Sequence, residues 1–174
     1  FLLNKFTTTE ALHEMLVPLQ NGENVGLISD AGCPGIADPG ADLVALAHQN
    51  HIRVTPLVGP SSILLAVMAS GLNGQSFAFN GYLPIDKAER KKVIKQFEKK
   101  SKEIQQTQVF IETPYRNNAL LEELCKSLRP ETRLSIACDL TLTTEFIRTE
   151  AAENWKKIKA DLLRRPAVFS FLAS

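Results

Sequence analysis

Four segments of the chain combine residue types that bind ligands in turns. The longest, Ser29–Gly40, has three glycines and two prolines within twelve residues. Glycine lets the backbone approach a ligand closely, and proline holds the loop in a fixed shape. Asp30, at the end of a predicted strand, could accept hydrogen bonds from a ribose or an amino group. The alternative is a strand-to-helix turn in which Asp30 only caps nearby N–H groups.

The second segment, Gly59–Ser62, is also a predicted strand-to-helix turn. The first N–H groups of a helix are free and carry a partial positive charge, so this position suits a carboxylate or a phosphate. Ser61 is equally well explained as the N-cap of the helix. Both interpretations stay open on this evidence.

Two acidic residues mark the remaining segments. Glu112 precedes the turn Thr113–Arg116, and Asp139 precedes Leu140, each at the end of a predicted strand. Carboxylates that face one cleft could bind amino groups, orient a hydroxyl group or act as a general base. Each could instead cap a helix or pair with an arginine, as Glu112 would do with Arg116 within the first helical turn.

Other kinds of chemistry find less support. The chain has no GxxxxGK[ST], GxSxG or GxGxxG pattern, which argues against P-loop proteins, serine hydrolases and Rossmann dinucleotide-binding proteins. The three histidines and three cysteines lack metal-ligand spacing, so neither a metal site nor a disulfide framework is expected. The lysines from Lys91 to Lys100 follow one face of a predicted helix. That face is either simply solvated or contacts an RNA backbone.

The elements that must position these residues alternate between extended and helical segments. Strands are predicted at residues 24–29, 52–57, 77–81, 107–112, 133–139 and 167–172. Helices are predicted before Gly22, after Asp38, at 63–70, after Asp86, at 113–128 and at 155–163. This alternation is typical of an α/β architecture with right-handed crossovers and largely parallel pairing, at least in the first half. Ligands in such sheets bind outside the carboxyl ends of the strands.

Length and composition fit one domain or two small ones. The 174 residues are 44% hydrophobic and 22% charged, which is ordinary for a folded protein. The polar, glycine-bearing segment Gly71–Gln75 predicts a boundary between an N-terminal α/β domain, residues 1–74, and a C-terminal α/β domain, residues 75–174. Since the first domain opens on a helix without the strand that normally begins a βαβ unit, either it is small or its first elements are absent from this sequence.

Charge and hydropathy limit the partners. The net charge of +1 gives no global attraction to nucleic acid, so any such contact must use a local patch. No apolar run approaches the roughly 20 residues that span a bilayer, and no basic-then-apolar leader opens the chain. A soluble cytoplasmic protein with no membrane partner is therefore expected.

Residues 25–40 (VGLISDAGCPGIADPG) resemble the VALVSDAGTPxISDPG stretch of the tetrapyrrole methylase superfamily. Within that superfamily the most similar branch is the small-subunit ribosomal RNA cytidine 2′-O-methyltransferases. Residues 56–62 (PLVGPSS) resemble the branch's PLPGPSA, 79–84 (FNGYLP) its FxGFLP, and 110–116 (FIETPYR) its FYESPHR. Leu140 and Thr141 stand where the branch has the LT of RELTK. The matches run in family order from residue 24 to the end of the chain.

This resemblance implies a class III methyltransferase with two α/β domains, mixed or parallel sheets, and S-adenosylmethionine in the cleft between them, usually as a homodimer. It also implies that an opening strand with an ATPIGN-like loop, and an AEDTR-like motif, should precede Phe1. Glu112 and Arg116 would lie on the C-terminal domain's side of the cleft. By position, the implied cofactor-binding residues are Asp30, Ala31, Gly32, Cys33, Ser61, Ser62 and Ile63.

The expected activity is methyl transfer to the ribose 2′-oxygen of ribosomal RNA. A ribose hydroxyl must lose its proton, and Asp139 or Glu112 is the expected general base. The expected substrate-binding residues are Arg116, Lys91 and Lys95, and no metal ion is expected.

The chain departs from the branch at two positions: RELTK becomes CDLTL at 138–142, and a KGE becomes RPA at 165–167. Two alternatives therefore stay open. One is a methyltransferase of a small molecule such as a tetrapyrrole precursor. The other is a non-catalytic module that binds S-adenosylmethionine.

Overall fold

Periodic apolar residues near the start of the chain form two packed helices. The computed structural model describes all 174 residues, which divide into unit 1, residues 1–61, and unit 2, residues 62–174. In unit 1, α1 (Thr9–Gln20) and α2 (Ala41–Gln49) bury a small cluster around Leu12, Met15 and Leu43. The prediction of these two helices from the apolar spacing is confirmed.

The two strands predicted in unit 1 are not formed. Residues 24–29 and 52–57 belong to no strand, and no backbone hydrogen bond joins them. Several of their apolar side chains are exposed to solvent, among them Ile28 (89%) and Leu57 (87%). A strand exists only through hydrogen bonds to a neighbouring strand, and neither segment has such a neighbour within unit 1. The prediction of strands here is wrong, although the residue types are those of strands.

Unit 2 is built on a five-stranded mixed sheet, with strand order β1-β2-β5-β3-β4. Only β1 and β2 run parallel; every other neighbouring pair is antiparallel. The predicted mixed α/β fold is confirmed, but the expectation of largely parallel pairing is wrong. The strands are β1 (Phe77–Tyr82), β2 (Thr107–Ile111), β3 (Arg133–Cys138), β4 (Phe146–Ala151) and β5 (Ala167–Leu172).

Three helices complete unit 2: α3 (Ser62–Ser70), α4 (Lys87–Ile104) and α5 (Asn117–Ser127). The helix predicted over 155–163 is only a single 3-10 turn at Asn154–Lys157. Trp155 anchors this turn to β3, because its buried indole N–H donates to the Leu134 carbonyl at 2.9 Å. No helix of the protein has both the length and the apolar composition that a bilayer crossing requires.

The sheet separates two layers of core. One face is covered by α4 and α5 over a large apolar cluster, and the other by α3. Ile63, Ala66 and Val67 of α3 pack on residues of β2, β3 and β5. Unit 2 therefore begins at Ser62, whereas composition alone puts the boundary between residues 74 and 75. The polar turn after α3 is real, but the helix before it packs on the sheet that follows.

One edge of this sheet collects the chemistry-bearing residues. β1, β2 and β3 end at this edge and β5 begins there, since Ile111 and Ala137 are both register partners of Val168. We call this the carboxyl edge and define it by residues 112–118, 139–145 and 161–166. Glu112 and Asp139 follow β2 and β3 directly, and β5 lies between those two strands. Neighbouring strands are about 4.8 Å apart, so the two acids follow strands about 10 Å apart.

Candidate functional site

The loop Ser29–Gly40 is a series of tight turns fixed by its own hydrogen bonds. The Ser29 hydroxyl donates to the Ala31 carbonyl at 2.8 Å and accepts from the Ala31 N–H at 3.2 Å. Farther along, the Gly35 N–H donates to the Pro39 carbonyl at 3.3 Å. The exposed Asp30 side chain takes no part in these bonds. Its carboxylate is therefore free for a ligand, and the capping alternative finds no support in the geometry.

Gly40 closes this loop in a conformation that requires glycine. Its φ is +140°, and a Cβ at this position would lie 2.8 Å from Leu27 Cδ2 and 3.3 Å from the Gly35 nitrogen. Side chains other than hydrogen are excluded on both backbone and steric grounds. The loop can close onto residues 27 and 35 only because residue 40 is glycine.

Cys33 connects this loop to the second predicted ligand-binding turn. Its Sγ lies 3.4 Å from the Pro60 carbonyl oxygen and 3.8 Å from that of Gly59. The buried Ser61 follows directly. Unit 1 thus brings together two of the segments selected from the sequence, residues 30–33 and 59–61.

Ser62 and Ile63 lie in the first turn of α3 and differ in which of their groups a ligand can reach. Ser62 is exposed, whereas the Ile63 side chain is buried in the core of unit 2. Ile63 therefore presents only its backbone N–H to a ligand. The amino end of this nine-residue helix still carries the partial positive charge expected from its sequence.

At the carboxyl edge, Glu112 forms the ion pair with Arg116 that the sequence offered as one alternative. Glu112 Oε1 accepts a hydrogen bond from Arg116 Nε, and the Glu112 side chain is 5% exposed. Its second oxygen, Oε2, is buried and has no hydrogen-bond partner. A buried carboxylate oxygen without a donor is costly. Glu112 is thus held by its arginine and still has one acceptor position available.

Asp139 is held more completely. Its Oδ2 accepts from Arg165 Nε and from the Thr144 hydroxyl, both at 2.8 Å. The hydrogen bond from Arg165, followed by that from Thr144, lowers the pKa of Asp139 below its usual value, and Asp139 in turn raises the pKa of Arg165. A carboxylate with a lowered pKa is a weak general base at neutral pH.

Arg165 acts as a brace between the loops of the carboxyl edge. Besides Asp139, its guanidinium donates to the Asp161 carbonyl at 2.8 Å and to the Thr144 carbonyl at 2.6 Å. It therefore joins the loop after β3 to the loop before β5. With three acceptors on this one side chain, Arg165 is a structural arginine.

Sequence reasoning missed two exposed residues at the same edge, Tyr115 and Arg164. Tyr115 is 71% exposed, and the guanidinium carbon of Arg164 lies 5.8 Å from its ring centroid. The signal was present in the turn that follows Glu112, where an aromatic residue stands next to Arg116. Only the fold brings Arg164 against it.

Lys91 and Lys95 lie elsewhere, exposed on α4. This 18-residue helix carries eight lysines and arginines against three glutamates, a net charge of +5 in a chain of +1. Two of the glutamates are engaged: Glu98 accepts from the Arg129 N–H at 2.7 Å, and Glu103 lies 3.7 Å from the ammonium of Lys99. The predicted lysine face is therefore present as a local positive patch.

Next to α4 lies a cavity of about 740 Å³, bounded by the helix, the turn before β3 and the end of β5. Its polar lining is mostly basic, with Lys95, Lys99, Lys102 and Arg129. No group of three His, Cys, Asp or Glu side chains converges as metal ligands anywhere in the protein.

Comparison with known proteins gives a consistent family. The family model for tetrapyrrole (corrin/porphyrin) methylases matches residues 4–154. The ribosomal RNA small subunit methyltransferase I of Mesorhizobium japonicum is 39% identical over 140 residues, covering 80% of this chain and 46% of that protein. The protein of that name from Escherichia coli O157:H7 is 34% identical over 147 residues, covering 84% and 50%. The chain spans about half the length of the curated relatives it matches.

Solved structures show the same fold at lower identity. Uroporphyrin-III-C-methyltransferase from Thermus thermophilus superimposes with a TM-score of 0.56 at 18% identity, covering 94% of this chain and 70% of that chain. At this identity the superposition shows a shared fold.

Proposed function

The chain belongs to the family of tetrapyrrole (corrin/porphyrin) methylases, and on this premise we propose that it forms part of an S-adenosylmethionine-dependent methyltransferase acting on small-subunit ribosomal RNA, at a ribose 2′-oxygen. The observation that carries the proposal is the loop Ser29–Gly40, which resembles the family's signature motif and packs through Cys33 on the turn at 59–61. The names of the relatives from Mesorhizobium and Escherichia support the choice of acceptor.

The residues of unit 1 fit the cofactor by their chemistry. The free carboxylate of Asp30 can accept hydrogen bonds from hydroxyl or amino groups, and a Cβ built at Gly32 would meet no atom within 4 Å, so the backbone there is approachable. The Cys33 N–H and the second acceptor position of the Ala31 carbonyl, whose first position is taken by the Ser29 hydroxyl, complete this side. When bound, S-adenosylmethionine would supply the methyl group of its sulfonium, and the neutral thioether of S-adenosylhomocysteine would be the leaving group.

The start of α3 would hold the carboxylate end of the cofactor. Ser61 and Ser62 stand at the first turn, and the backbone N–H of Ile63 adds a donor whose side chain is anchored in the core. A helix amino terminus stabilises an anion by free N–H groups and by its dipole. We therefore retain Asp30, Ala31, Gly32, Cys33, Ser61, Ser62 and Ile63 as the proposed cofactor-binding set.

On the acceptor side, the two carboxylates have different roles in this proposal. Glu112 has an unpartnered oxygen, Oε2, which can accept a hydrogen bond from a hydroxyl group and take its proton. Asp139, with its pKa lowered by Arg165, is a weak base and instead fixes the loop after β3. The two free nitrogens of the Arg116 guanidinium, on a side chain 34% exposed, are available to a phosphate or a base.

RNA contact is proposed for the basic face of α4, which we define as Lys91, Lys92, Lys95, Lys99 and Lys102. Lys100, which the sequence pattern placed on the same face, lies about 180° around the helix from Lys91 and is left out. At 100° per residue these five positions span about 100° of the helix circumference, and at 1.5 Å per residue they extend over about 16 Å. That length matches several phosphates of one strand. Cytoplasmic location and a homodimeric assembly belong to the same proposal, because ribosomal RNA is the substrate and the resemblance implies a dimer.

The proposal is tested by binding and by transfer. Calorimetry of the whole protein should give heat of binding with S-adenosylhomocysteine. Transfer of tritiated methyl should occur from S-adenosylmethionine to small ribosomal subunits from a strain that lacks the gene. Folded protein that binds neither form of the cofactor contradicts the methyltransferase assignment. Cofactor binding with methyl transfer to a tetrapyrrole precursor, and none to ribosomal subunits, would contradict the choice of acceptor alone.

A further inference from the structure

Tyr115 is an exposed aromatic side chain in the loop that follows β2. Phe110, Phe169 and Phe171 in the middle of the sheet are fully buried, whereas Tyr82 at the end of the edge strand β1 is 60% exposed. Tyr115, at 71% exposed, lies in the turn closed by the hydrogen bond from the Arg116 N–H to the Thr113 carbonyl at 2.9 Å. Its ring contributes little to the core. The exposed guanidinium of Arg164 has its central carbon 5.8 Å from the ring centroid, which is within cation–π range.

The two loops that carry this pair are joined to each other. The Arg164 N–H donates to the Pro114 carbonyl at 3.0 Å, and Asn117 Nδ2 donates to the Arg165 carbonyl at 2.7 Å. Asn118 Oδ1 accepts from the Leu162 N–H at 2.9 Å. Three hydrogen bonds therefore hold together the two loops from which the ring and the cation project. A ligand that binds them does not have to order these loops.

Backbone strain is concentrated at the same edge. Among residues other than glycine, Asp139, Thr141 and Arg164 have positive φ values of 50°, 70° and 59°. Half of the six such residues in the protein thus lie in the two loops after β3 and before β5. Conformations of this kind persist where the surrounding structure imposes them, and they are frequent at functional sites.

From these observations we propose that Tyr115 and Arg164 form a stacking platform for an unpaired base of single-stranded RNA. A flat base stacks on an exposed aromatic ring, while the cation that covers the ring also attracts the neighbouring phosphate. A base inside a duplex is already stacked on its neighbours and is not available to the ring. The inference rests on the proposed function and adds to it that the acceptor strand is unpaired at this site, three residues from Glu112.

The test measures binding of the whole protein to a fluorescein-labelled single-stranded RNA by anisotropy. Tyr115→Ala should weaken binding by roughly 5- to 150-fold, the effect of losing one base–aromatic stack. Tyr115→Phe keeps the ring and should bind within about 3-fold of the parent. Arg164→Gln should weaken binding and reduce the salt dependence by about 0.7 unit of slope, as for one lost phosphate contact on a single strand.

Phe6 offers a matched control. It is 78% exposed, with the ammonium of Lys5 4.9 Å from its ring centroid, so it is likewise an exposed aromatic ring beside a cation, but it lies in unit 1. Phe6→Ala should leave RNA affinity unchanged. A duplex of the same sequence should bind the parent and Tyr115→Ala equally. Equal loss from Tyr115→Phe and Tyr115→Ala would contradict stacking, since the ring is then not the group that matters.

The outcomes separate the platform from the function on which it rests. Undiminished binding of single-stranded RNA by Tyr115→Ala, with S-adenosylhomocysteine binding intact, overturns the platform and leaves the methyltransferase standing. A parent chain that binds the cofactor but no RNA overturns the platform and the choice of RNA as acceptor. A folded parent chain that binds neither overturns the proposed function itself.

Discussion

Replacing Gly40 with alanine should destabilise unit 1, and the size of this loss of stability follows from the geometry. Gly40 has φ +140°, and an added Cβ would lie 2.8 Å from Leu27 Cδ2 and 3.3 Å from the Gly35 nitrogen. A side chain in such a backbone conformation costs about 1–3 kcal/mol, and overpacking adds a comparable amount. Because the Leu27 methyl can rotate away while the Gly35 backbone cannot, we expect a total of about 2–4 kcal/mol.

Urea denaturation, combined with hydrogen exchange in peptides from α1 and α2, measures this loss where it occurs. Gly26 supplies the control, since a Cβ there meets no atom within 4 Å and its φ is ordinary for any residue. Gly26→Ala should change the free energy of unfolding by less than about 0.5 kcal/mol. Cofactor affinity should fall in Gly40→Ala alone, because the loop that includes Asp30 can no longer close.

A double variant divides the cost between its two sources. Leu27→Ala removes the methyl group that the new Cβ would meet, but it leaves the backbone conformation of residue 40 unchanged. We expect Gly40→Ala in that background to recover only part of the stability. The reasoning is refuted if Gly40→Ala is as mild as Gly26→Ala, or if Leu27→Ala restores stability completely.

Three further outcomes are expected. Asp30→Ala should weaken S-adenosylhomocysteine binding by about 1–3 kcal/mol in calorimetry, the scale of a lost charged hydrogen bond, whereas Asp42→Ala on α2 should not. Equal affinity in both variants would mean that Asp30 does not bind the cofactor. Arg165→Gln should destabilise the protein by about 1–3 kcal/mol at neutral pH. The lowered pKa of Asp139 stabilises the fold above the ordinary Asp pKa of 3.8, and this contribution is lost as the pH falls through the lower pKa of the folded state. The difference in stability from the parent should therefore shrink in acid unfolding titrations, and a constant difference would contradict the pairing. Replacing four lysines of the basic face with glutamine should weaken RNA binding and flatten its salt dependence by up to about 0.9 unit per lost duplex contact, with cofactor affinity unchanged; an unchanged salt slope would mean that the face is only solvated. The four are Lys91, Lys92, Lys95 and Lys99.

The sequence predicts those elements whose signal is local. The apolar spacing of α1 and α2 and the strands of unit 2 other than β4 follow from short windows of residues. β4 was missed because Phe146–Ala151 has only a weak alternation, and its structure depends on six register pairs with β3. The reverse error occurred at 24–29 and 52–57, where β-type residues lack a partner strand. Pairing is a property of two segments, and one segment does not reveal it.

In the candidate site, too, residues with a local signal could be predicted and contacts that depend on strand pairing could not. Asp30, Glu112 and Asp139 could be selected because each follows a strand-like run. That Asp139 is bound by Arg165 could not be selected, since the brace depends on how β3 and β5 pair. The contact between Tyr115 and Arg164 has the same origin. Sequence reasoning therefore found the groups that follow strands and missed the arginines that the sheet brings to them.

The central position of β5 has a consequence for how the chain acquires its fold. β5 follows the other four strands in the chain, yet it lies between β2 and β3. Until residues 167–172 emerge from the ribosome, β1–β2 and β3–β4 can form only as two separate pairs, each with an unpaired edge. Such edges are places where chains associate wrongly. Unit 2 thus completes its sheet in a late step of long-range closure, and a nascent chain stalled before residue 167 should need a chaperone's protection.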